Sequence, residues 1–412
     1  MTDTSTRFDV AISGASFAGL AFARGLSQAL GAGTRIAVID RASAPAAGAN
    51  DGRAFAIWAG SKAVLDSLGV WDAIADVAEP MTSIEISDSA LGDGVRATRL
   101  TYDAVTADGA PAAYMVPSAE LHRALYNSVA NDPSITWIAP AEATGLTLGD
   151  FSAAITLSDD REIKAALCVA AEGRASKLRD AAGIGTTGWG YAQRGIVATV
   201  QFELPHNGVA IQHFLPGGPF AVLPLKSNRA CITWSSADAE AERVLSLDDA
   251  AFLDELDSRI GGRFGAITLL GKPQSWPLDV KVARELVAKR FALIGDAAHG
   301  VHPVAGQGVN LAFRDVAALV EVVTEAARIG LDLGNGPSLE RYARWRRFDS
   351  TMSAAAYDGL NRIFSVDNAV LRAARGAGLG IVDQIPQLKQ LIITEAAGLS
   401  GDLPKMLRGE RV

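Results

Sequence analysis

One segment constrains this chain more than any other. Phe291 to Ile294 is an apolar run that reads as a buried strand. It stops at Gly295-Asp296, a loop rich in glycine and proline follows, and an apolar helix runs from about Val309 to Ala326. A carboxylate at a strand end can hold a sugar hydroxyl, and glycines ahead of a helix let bare backbone N–H groups approach an electron-rich ligand edge. The start of the chain carries a second device of this kind. Phe8 to Ser13 reads as a strand, Gly14-Ala-Ser-Phe-Ala-Gly19 as a tight turn and Leu20 to Leu30 as a helix. Arg35 to Asp40 is a second strand, ending in an acid 21 residues beyond Gly19. Strand, glycine turn, helix, strand and acid form the dinucleotide fingerprint, with pyrophosphate on the helix N-terminus and the acid on a ribose. Ser16 replaces the middle glycine, the mildest such change, and its hydroxyl can donate to phosphate. The alternative is an ordinary βαβ unit with chance glycines; the placement of Asp40 and the second motif weigh against it.

Composition sets the outer limits. At 412 residues and 49% apolar content the chain can bury two or more lobes and is not disordered. A net charge of −8, with no basic stripe, argues against nucleic acid as a partner. Cys168 and Cys231 each sit in an apolar run and read as buried free thiols of a reducing compartment. Only a short polar stretch precedes the first strand, which leaves no room for a signal peptide, and no apolar run is long enough to span a membrane. A cytoplasmic protein is expected. His299 and His302 are the one close histidine pair, but Pro303 and the glycines place them in a loop without a cluster of further ligands, so no metal site is expected. No Gly-x-Ser-x-Gly elbow is present.

The patterning predicts an α/β and α+β architecture, in which a Rossmann-like nucleotide-binding domain is interleaved with an antiparallel-sheet domain and followed by a helical tail. The boundaries read as 1–80, 116–185 and 286–336 for the nucleotide domain. Strands over 81–115 and a sheet over 186–285 form the second domain, and C-terminal helices fill 337–412. Short strands punctuated by Pro, Gly and Asn run from Gly195 to Pro277, with one amphipathic helix over Ser246 to Ile260. The chain then crosses back through Trp276-Pro-Leu. Arg53 reads either as a ligand to phosphate or as a solvated arginine. Val366 to Ala397 forms an amphipathic helical pair. Its apolar face either packs on the nucleotide domain or receives an apolar substrate tail, a membrane or a partner enzyme.

Gly14 to Gly19, Glu172-Gly173 and Gly295-Asp296 together resemble the three motifs of the para-hydroxybenzoate-hydroxylase-like FAD monooxygenases. The resemblance is closest to the ubiquinone-biosynthesis hydroxylases of the UbiH/UbiF type. It is carried by His302-Pro-Val-Ala-Gly-Gln-Gly-Val-Asn310 through Asp315, by His206 to Phe214 with Gly218 to Leu225, and by the tail from Phe364 to Pro404. Three positions depart from that pattern: Ser16, Glu172 in place of the usual Asp, and Ala312 in place of Gly.

The resemblance implies FAD as cofactor, NAD(P)H as a transient reductant, O2 as co-substrate and a polyprenylated phenol as substrate. It places Gly14, Ser16, Phe17, Ala18 and Gly19 at the pyrophosphate, and Asp40 with Arg41 at the adenosine ribose. Arg53 falls near the phosphates or the isoalloxazine, Glu172 and Gly173 behind the pyrophosphate, and Gly295 and Asp296 at the ribityl. Pro303 lies beside the ring, and the N–H groups of Gly306, Gln307, Gly308, Val309 and Asn310 face its pyrimidine edge. Gln212 and His213 are neighbours on a substrate-lobe strand, so at most one of them, with His213 as the candidate, faces the ring. No general acid or base is assigned. Two other readings stay open: a hydroxylase of a small soluble aromatic, which calls for a closed polar pocket with an Arg or Tyr, and a flavin-binding subunit that organises a quinone-synthesis complex.

Overall fold

The computed structural model describes residues 7–44, 52–90, 96–301, 306–365 and 368–412. Its first sheet is built on Arg7–Ser13 (β1), Ile36–Ile39 (β2), Ile135–Ile138 (β8), Glu162–Ala170 (β11) and Phe291–Leu293 (β19), all mutually parallel. Val287–Ala288 (β18) closes one edge, in the order β18-β19-β11-β1-β2-β8, and Ala143–Leu148 (β9) with Ala153–Leu157 (β10) branches from β11. Val10, Ala11, Ile12, Leu167, Cys168 and Val169 are all without solvent exposure, adjacent positions included. Such a run needs cover on both faces, which is why these strands read as continuously apolar. Phe17–Leu30 (α1) and Gly308–Arg328 (α7) cross closely over this core. A Cβ on Gly25 of α1 would lie 2.8 Å from a Val320 methyl of α7, so only glycine admits the crossing. Ser118–Val129 (α3) packs beside α1.

A second sheet takes the intervening segments: Ser83–Asp88 (β5), Leu100–Asp103 (β6), Thr186–Phe202 (β12), Val209–Leu215 (β13), Gly218–Leu225 (β14), Arg229–Ala237 (β15), Ile267–Leu269 (β16), Gln274–Ala283 (β17) and His299–Gly300 (β20). Their order is β20-β17-β12-β15-β14-β13-β5-β6, with β16 beside β12. The alternation of β12 to β15 sorts the side chains onto two faces. Ile196, Val200, Ile211, Phe220, Ile232 and Trp234 point to the back, where Asp238–Leu245 (α5) and Asp249–Ile260 (α6) cover them. Val197, Ala210, Leu223, Leu225 and Cys231 point to the front. There they meet a small sheet of Ala54–Trp58 (β3), Glu79–Pro80 (β4) and Ala113–Pro117 (β7), and the helices Ala369–Asp383 (α9) and Pro386–Ala396 (α10). Ala59–Ser67 (α2), Lys177–Ala181 (α4) and the long Gly336–Ser365 (α8) complete the fold.

Three expectations on local structure are corrected. The helix expected over Ser246 to Ile260 is preceded by a separate helix, α5, and starts only at Asp249; Asp248 caps it, its carboxylate accepting from the Ala251 N–H at 2.8 Å. The return segment around Trp276 is a full strand, β17, paired with β12 through Arg194 opposite Pro277. The second sheet is not wholly antiparallel either, because β13 runs parallel to β5, with His213 opposite Ser87. Among the described residues no helix is long and apolar enough to cross a membrane.

Candidate cofactor and substrate site

Two helix N-termini meet at the carboxyl end of the first sheet. Gly14 has φ +105°, and a Cβ there would fall 2.4 Å from the Ala171 carbonyl oxygen at the end of β11. A Cβ on Gly19 would fall 1.9 Å from the Gly14 carbonyl. These two glycines press the turn onto the sheet, and position 16 carries no such constraint. Ser16 is exposed, extended at φ −89°, and makes no side-chain cap. The amides of Phe17, Ala18 and Gly19 open α1 and have no partner within the helix. The middle glycine of the fingerprint is therefore dispensable here: a small hydroxyl fits the open side.

Asp40 ends β2 as expected, and its Oδ2 accepts from the Ala15 N–H at 2.7 Å while Oδ1 accepts from Ala42 N–H at 2.7 Å. The acid thus sets the glycine turn, and Arg41 beside it is exposed. The turn is braced from the other side by His122 of α3, whose Nε2 lies 2.9 Å from the Ala15 carbonyl, and whose ring meets Phe17 edge to face at 5.6 Å. Nothing in the sequence pattern singled out His122.

Gly295 has φ +60°, and a Cβ there would meet both Ala18 Cβ at 3.2 Å and Ala312 Cβ at 3.4 Å. The first turns of α1 and α7 therefore converge on this residue. Ala312, one of the departures from the motif, supplies one of the two contacts. The Gly295 N–H donates to Asp315 at 2.9 Å. Asp315 is fully buried and also takes His299 Nε2 at 2.6 Å and Arg346 Nε at 2.7 Å. Burial works against both charged forms, yet the pairing overrides it: His299 is held above its ordinary value and Asp315 below its own. His299 is thereby committed to the Asp315 pair; His302 and Pro303 lie outside the described residues.

Gly306, at φ +62°, packs against Ala56 of β3. The Asn310 side chain accepts from the Trp58 N–H at 3.1 Å and donates to the Ala56 carbonyl at 2.8 Å and the Gly306 carbonyl at 3.0 Å. It ties the start of α7 to β3, and the backbone N–H groups of the first turn, from Gly308 to Asn310, have no partner within the helix. Gln307 is buried and donates to Ala396 of α10 at 3.3 Å.

Glu172 is taken up by donors of the protein itself. Its carboxylate accepts from Ser13 Oγ at 2.8 Å, Ser176 Oγ at 2.5 Å and Leu178 N–H at 3.1 Å, joining the end of β1 to the start of α4. The longer Glu arm reaches all three donors. Gly173, at φ +83°, makes the bend that follows. The next residue, Arg174, had no role in the sequence reading. It bonds Asp296 at 3.2 Å and the Val301 carbonyl at 2.8 Å on the cofactor side, and both the carboxylate and the carbonyl of Asp279 on β17. Arg174 is thus a cross-brace between the two lobes, and it fixes Asp296. Arg53 lies 5.2 Å above the Trp276 ring of β17, so it too faces the second sheet.

The residues present fit FAD. Glycine cradles remove every Cβ that would block the two helix ends, one acid stands at each motif's strand end, and both helix dipoles point positive into the same space. His213, by contrast, is on the back of the second sheet. It shares a face with Ile211, while Ala210 and Gln212 point to the front. The period-two alternation excludes it from the cofactor side.

A model of the FAD binding domain family matches residues 7–332. The chain is 38% identical to the ubiquinone hydroxylase UbiL of Rhodospirillum rubrum, over 97% of this chain and 92% of that protein. It is 33% identical to the 3-demethoxyubiquinol 3-hydroxylase of Escherichia coli, over 97% of this chain and 100% of that protein. Among solved structures, the p-nitrophenol 4-monooxygenase PnpA of Pseudomonas putida superposes with a TM-score of 0.78 at 19% identity, covering 96% of this chain and 99% of that one.

Proposed function

Because the chain belongs to the FAD-binding-domain family and is a flavoprotein monooxygenase, we propose that it hydroxylates the ring of a polyprenylated phenol in ubiquinone biosynthesis, with NAD(P)H as reductant. When bound, FAD supplies the redox chemistry that activates O2. The protein's part is to hold the cofactor, exclude water and seat the phenol. The N–H groups that open α7 stabilise negative charge on the reduced ring.

The observation that carries the substrate class is the front of the second sheet. Its central strands present Val197, Ala210, Ala221, Leu223 and Cys231, with Thr199, Gln212 and Thr233 among the polar side chains. A soluble aromatic acid calls for a cation in that position; this surface suits an apolar molecule with a phenolic end. α10 and the residue that caps it roof it through Ile393 and Ala397. The outer side of the same helical pair is also apolar: Val370 is 77%, Ile381 60% and Leu391 63% exposed. A helical pair apolar inside and out supports peripheral contact with a membrane, or with a partner enzyme of the pathway, at the point where a prenyl tail leaves the site.

The test is mass spectrometry of the quinone extract from cells lacking the gene. Accumulation of a prenylated phenol short of one oxygen is the expected result, and its structure names the ring carbon. Unchanged ubiquinone, in cells encoding no redundant hydroxylase, refutes the reading.

A further inference from the structure

α9 sits on the second sheet through polar latches and thin apolar packing. It lies on β5 and β6, and its Leu379 and Val382 pack, partly buried, against the front-face cluster. None of its described residues is buried, whereas α7 is buried along nearly its whole length. Asp88, at the end of β5, takes Arg375 Nε at 2.7 Å and Nη2 at 3.1 Å, and the two side chains are 2% and 8% exposed. β6 is the last strand of its sheet among the described residues. In place of a further strand, Asp383 accepts from the Thr101 N–H at 3.1 Å, and Lys389 of α10 donates to the Thr101 carbonyl at 3.1 Å. A buried ion pair sets position but holds weakly, because opening it to water returns the hydration it gave up. A segment with few buried apolar contacts opens ahead of the rest of the fold.

The residues of α9 point the same way. Gly376, Gly378 and Gly380 lie in its interior, and none has a positive φ. A Cβ on Gly378 or Gly380 meets nothing within 4 Å among the described residues, and one on Gly376 meets the Arg99 Nε at 3.9 Å. Neither space nor backbone geometry asks for glycine there, and each glycine weakens the helix. Gly398, just beyond α10, is the opposite case. Its φ is +73°, and a Cβ would fall 2.8 Å from Arg314 Nη2. Beside it the carbonyls of Glu395, Ala396 and Ala397 accept from Arg314 at 3.3 Å, Gln307 at 3.3 Å and the Gly60 N–H at 2.9 Å. These bonds fasten the end of α10 to α7 and α2.

We propose that α9 is a gate. With the start of α10 it lifts from β5 and β6 and unwinds at its three glycines, while the end of α10 stays in place. The front of the second sheet then opens to the apolar tail of the substrate. Admission of a tail rests on the proposed seat for a prenylated phenol; the opening itself does not.

Hydrogen–deuterium exchange of the FAD-loaded protein, without substrate, tests the opening. Amides of α9 should be protected about a hundredfold less, or weaker still, than those of α7. The triple variant Gly376→Ala, Gly378→Ala and Gly380→Ala meets no clash, so it folds. It should raise protection over α9 about fivefold per substitution, about a hundredfold in all, with α7 unchanged. Lys389→Met, which removes the bonds to Thr101 and Asp383, should lower it. In turnover, the triple variant should lose about tenfold or more in kcat/KM for a long-tailed prenylated phenol and keep the parent value for the tailless phenol. Equal protection of α9 and α7 in the parent overturns the gate. So does a stiffened α9 that turns over the long-tailed phenol as fast as the parent. Because the exchange arm uses no substrate, it decides the opening even where the parent hydroxylates neither phenol, a result that would refute the proposed function instead.

Discussion

Asp315→Asn should cost more than its conservative shape suggests. Asp315 is fully buried and divides its two oxygens between three donors: Oδ1 takes Arg346, and Oδ2 takes both His299 and the Gly295 N–H. Asparagine offers one acceptor. If it faces His299 and Gly295, its NH2 opposes the Arg346 N–H; if it faces Arg346, Gly295 loses its partner. Arg346 is 4% exposed, so its guanidinium loses the Asp315 carboxylate in a place water does not replace it. Coulomb's law at 2.7 Å with an effective dielectric of about 20 gives about 6 kcal/mol gross for that pair. Breaking a buried pair by removing one partner costs about 3–5 kcal/mol net. That is a large part of the stability of a domain, about 5–15 kcal/mol. Urea unfolding followed by tryptophan fluorescence should show the loss, and FAD affinity should fall with it, because Gly295 loses the bond that sets its turn. Arg346→Met added to Asp315→Asn should recover part of the loss, since the buried cation that lost its carboxylate is gone. The pH dependence follows from the two shifts. Asp315 is lowered, so its stabilisation is present above its unfolded value of 3.8 and is lost as pH falls through its folded value. His299 is raised, so its share is complete below 6.5 and is lost as pH rises through its folded value. The variant should lose both dependences. A midpoint equal to that of the parent, or a double variant as unstable as the sum of the singles, refutes the reasoning.

Other outcomes follow from single contacts. Gly19→Ala puts a methyl 1.9 Å from the Gly14 carbonyl and should open the turn, weakening FAD binding about a hundredfold or more while the circular dichroism spectrum is kept. Arg174→Met removes the bonds to Asp296 and Asp279; discounted for its partial exposure, the loss is about tenfold in FAD affinity, read by flavin fluorescence on dialysis. Leu223→Asp places a carboxylate on the front of the second sheet and should abolish hydroxylation of a prenylated phenol while sparing FAD content, measured as product formed per flavin. Ile381→Asp, on the outer side of α9, should abolish co-sedimentation with lipid vesicles without changing turnover of a short-chain phenol; unchanged sedimentation would mean the membrane is held elsewhere.

The parts of this molecule legible in its sequence are those where backbone geometry dictates residue type. Gly14, Gly19 and Gly295 are glycine because a Cβ would strike main chain or a facing helix, and such positions leave a pattern. Asp40 is legible because the strand–turn–helix–strand spacing fixes it. The second sheet was visible as short strands between turns, but its parallel β5–β13 pair was not, because register across a long separation leaves no local mark. His213 shows the limit of strand reading: alternation says that it and Gln212 face apart, but not which of them faces the cofactor motifs. Only the packing of Ile211 against the α5 and α6 side decides it. Arg174 and His122 escaped because an arginine after a glycine, or a histidine in an amphipathic helix, is by default a surface residue. Their roles come from partners on distant strands and turns.

The strand order β19-β11-β1-β2 has a consequence for how the protein is made. β1 waits for β11 as its neighbour, and β11 waits for β19, so neither can complete its hydrogen bonds until the later strand is made. Gly295, where the two helix starts meet, leaves the ribosome late. The Ala397 carbonyl that receives the Gly60 N–H at 2.9 Å comes later still. No fragment of this chain that stops short of Gly295 carries both helix starts of the nucleotide pocket, so cofactor loading has to wait for that residue. Until then the exposed edge of β1 is the segment that a chaperone has to guard.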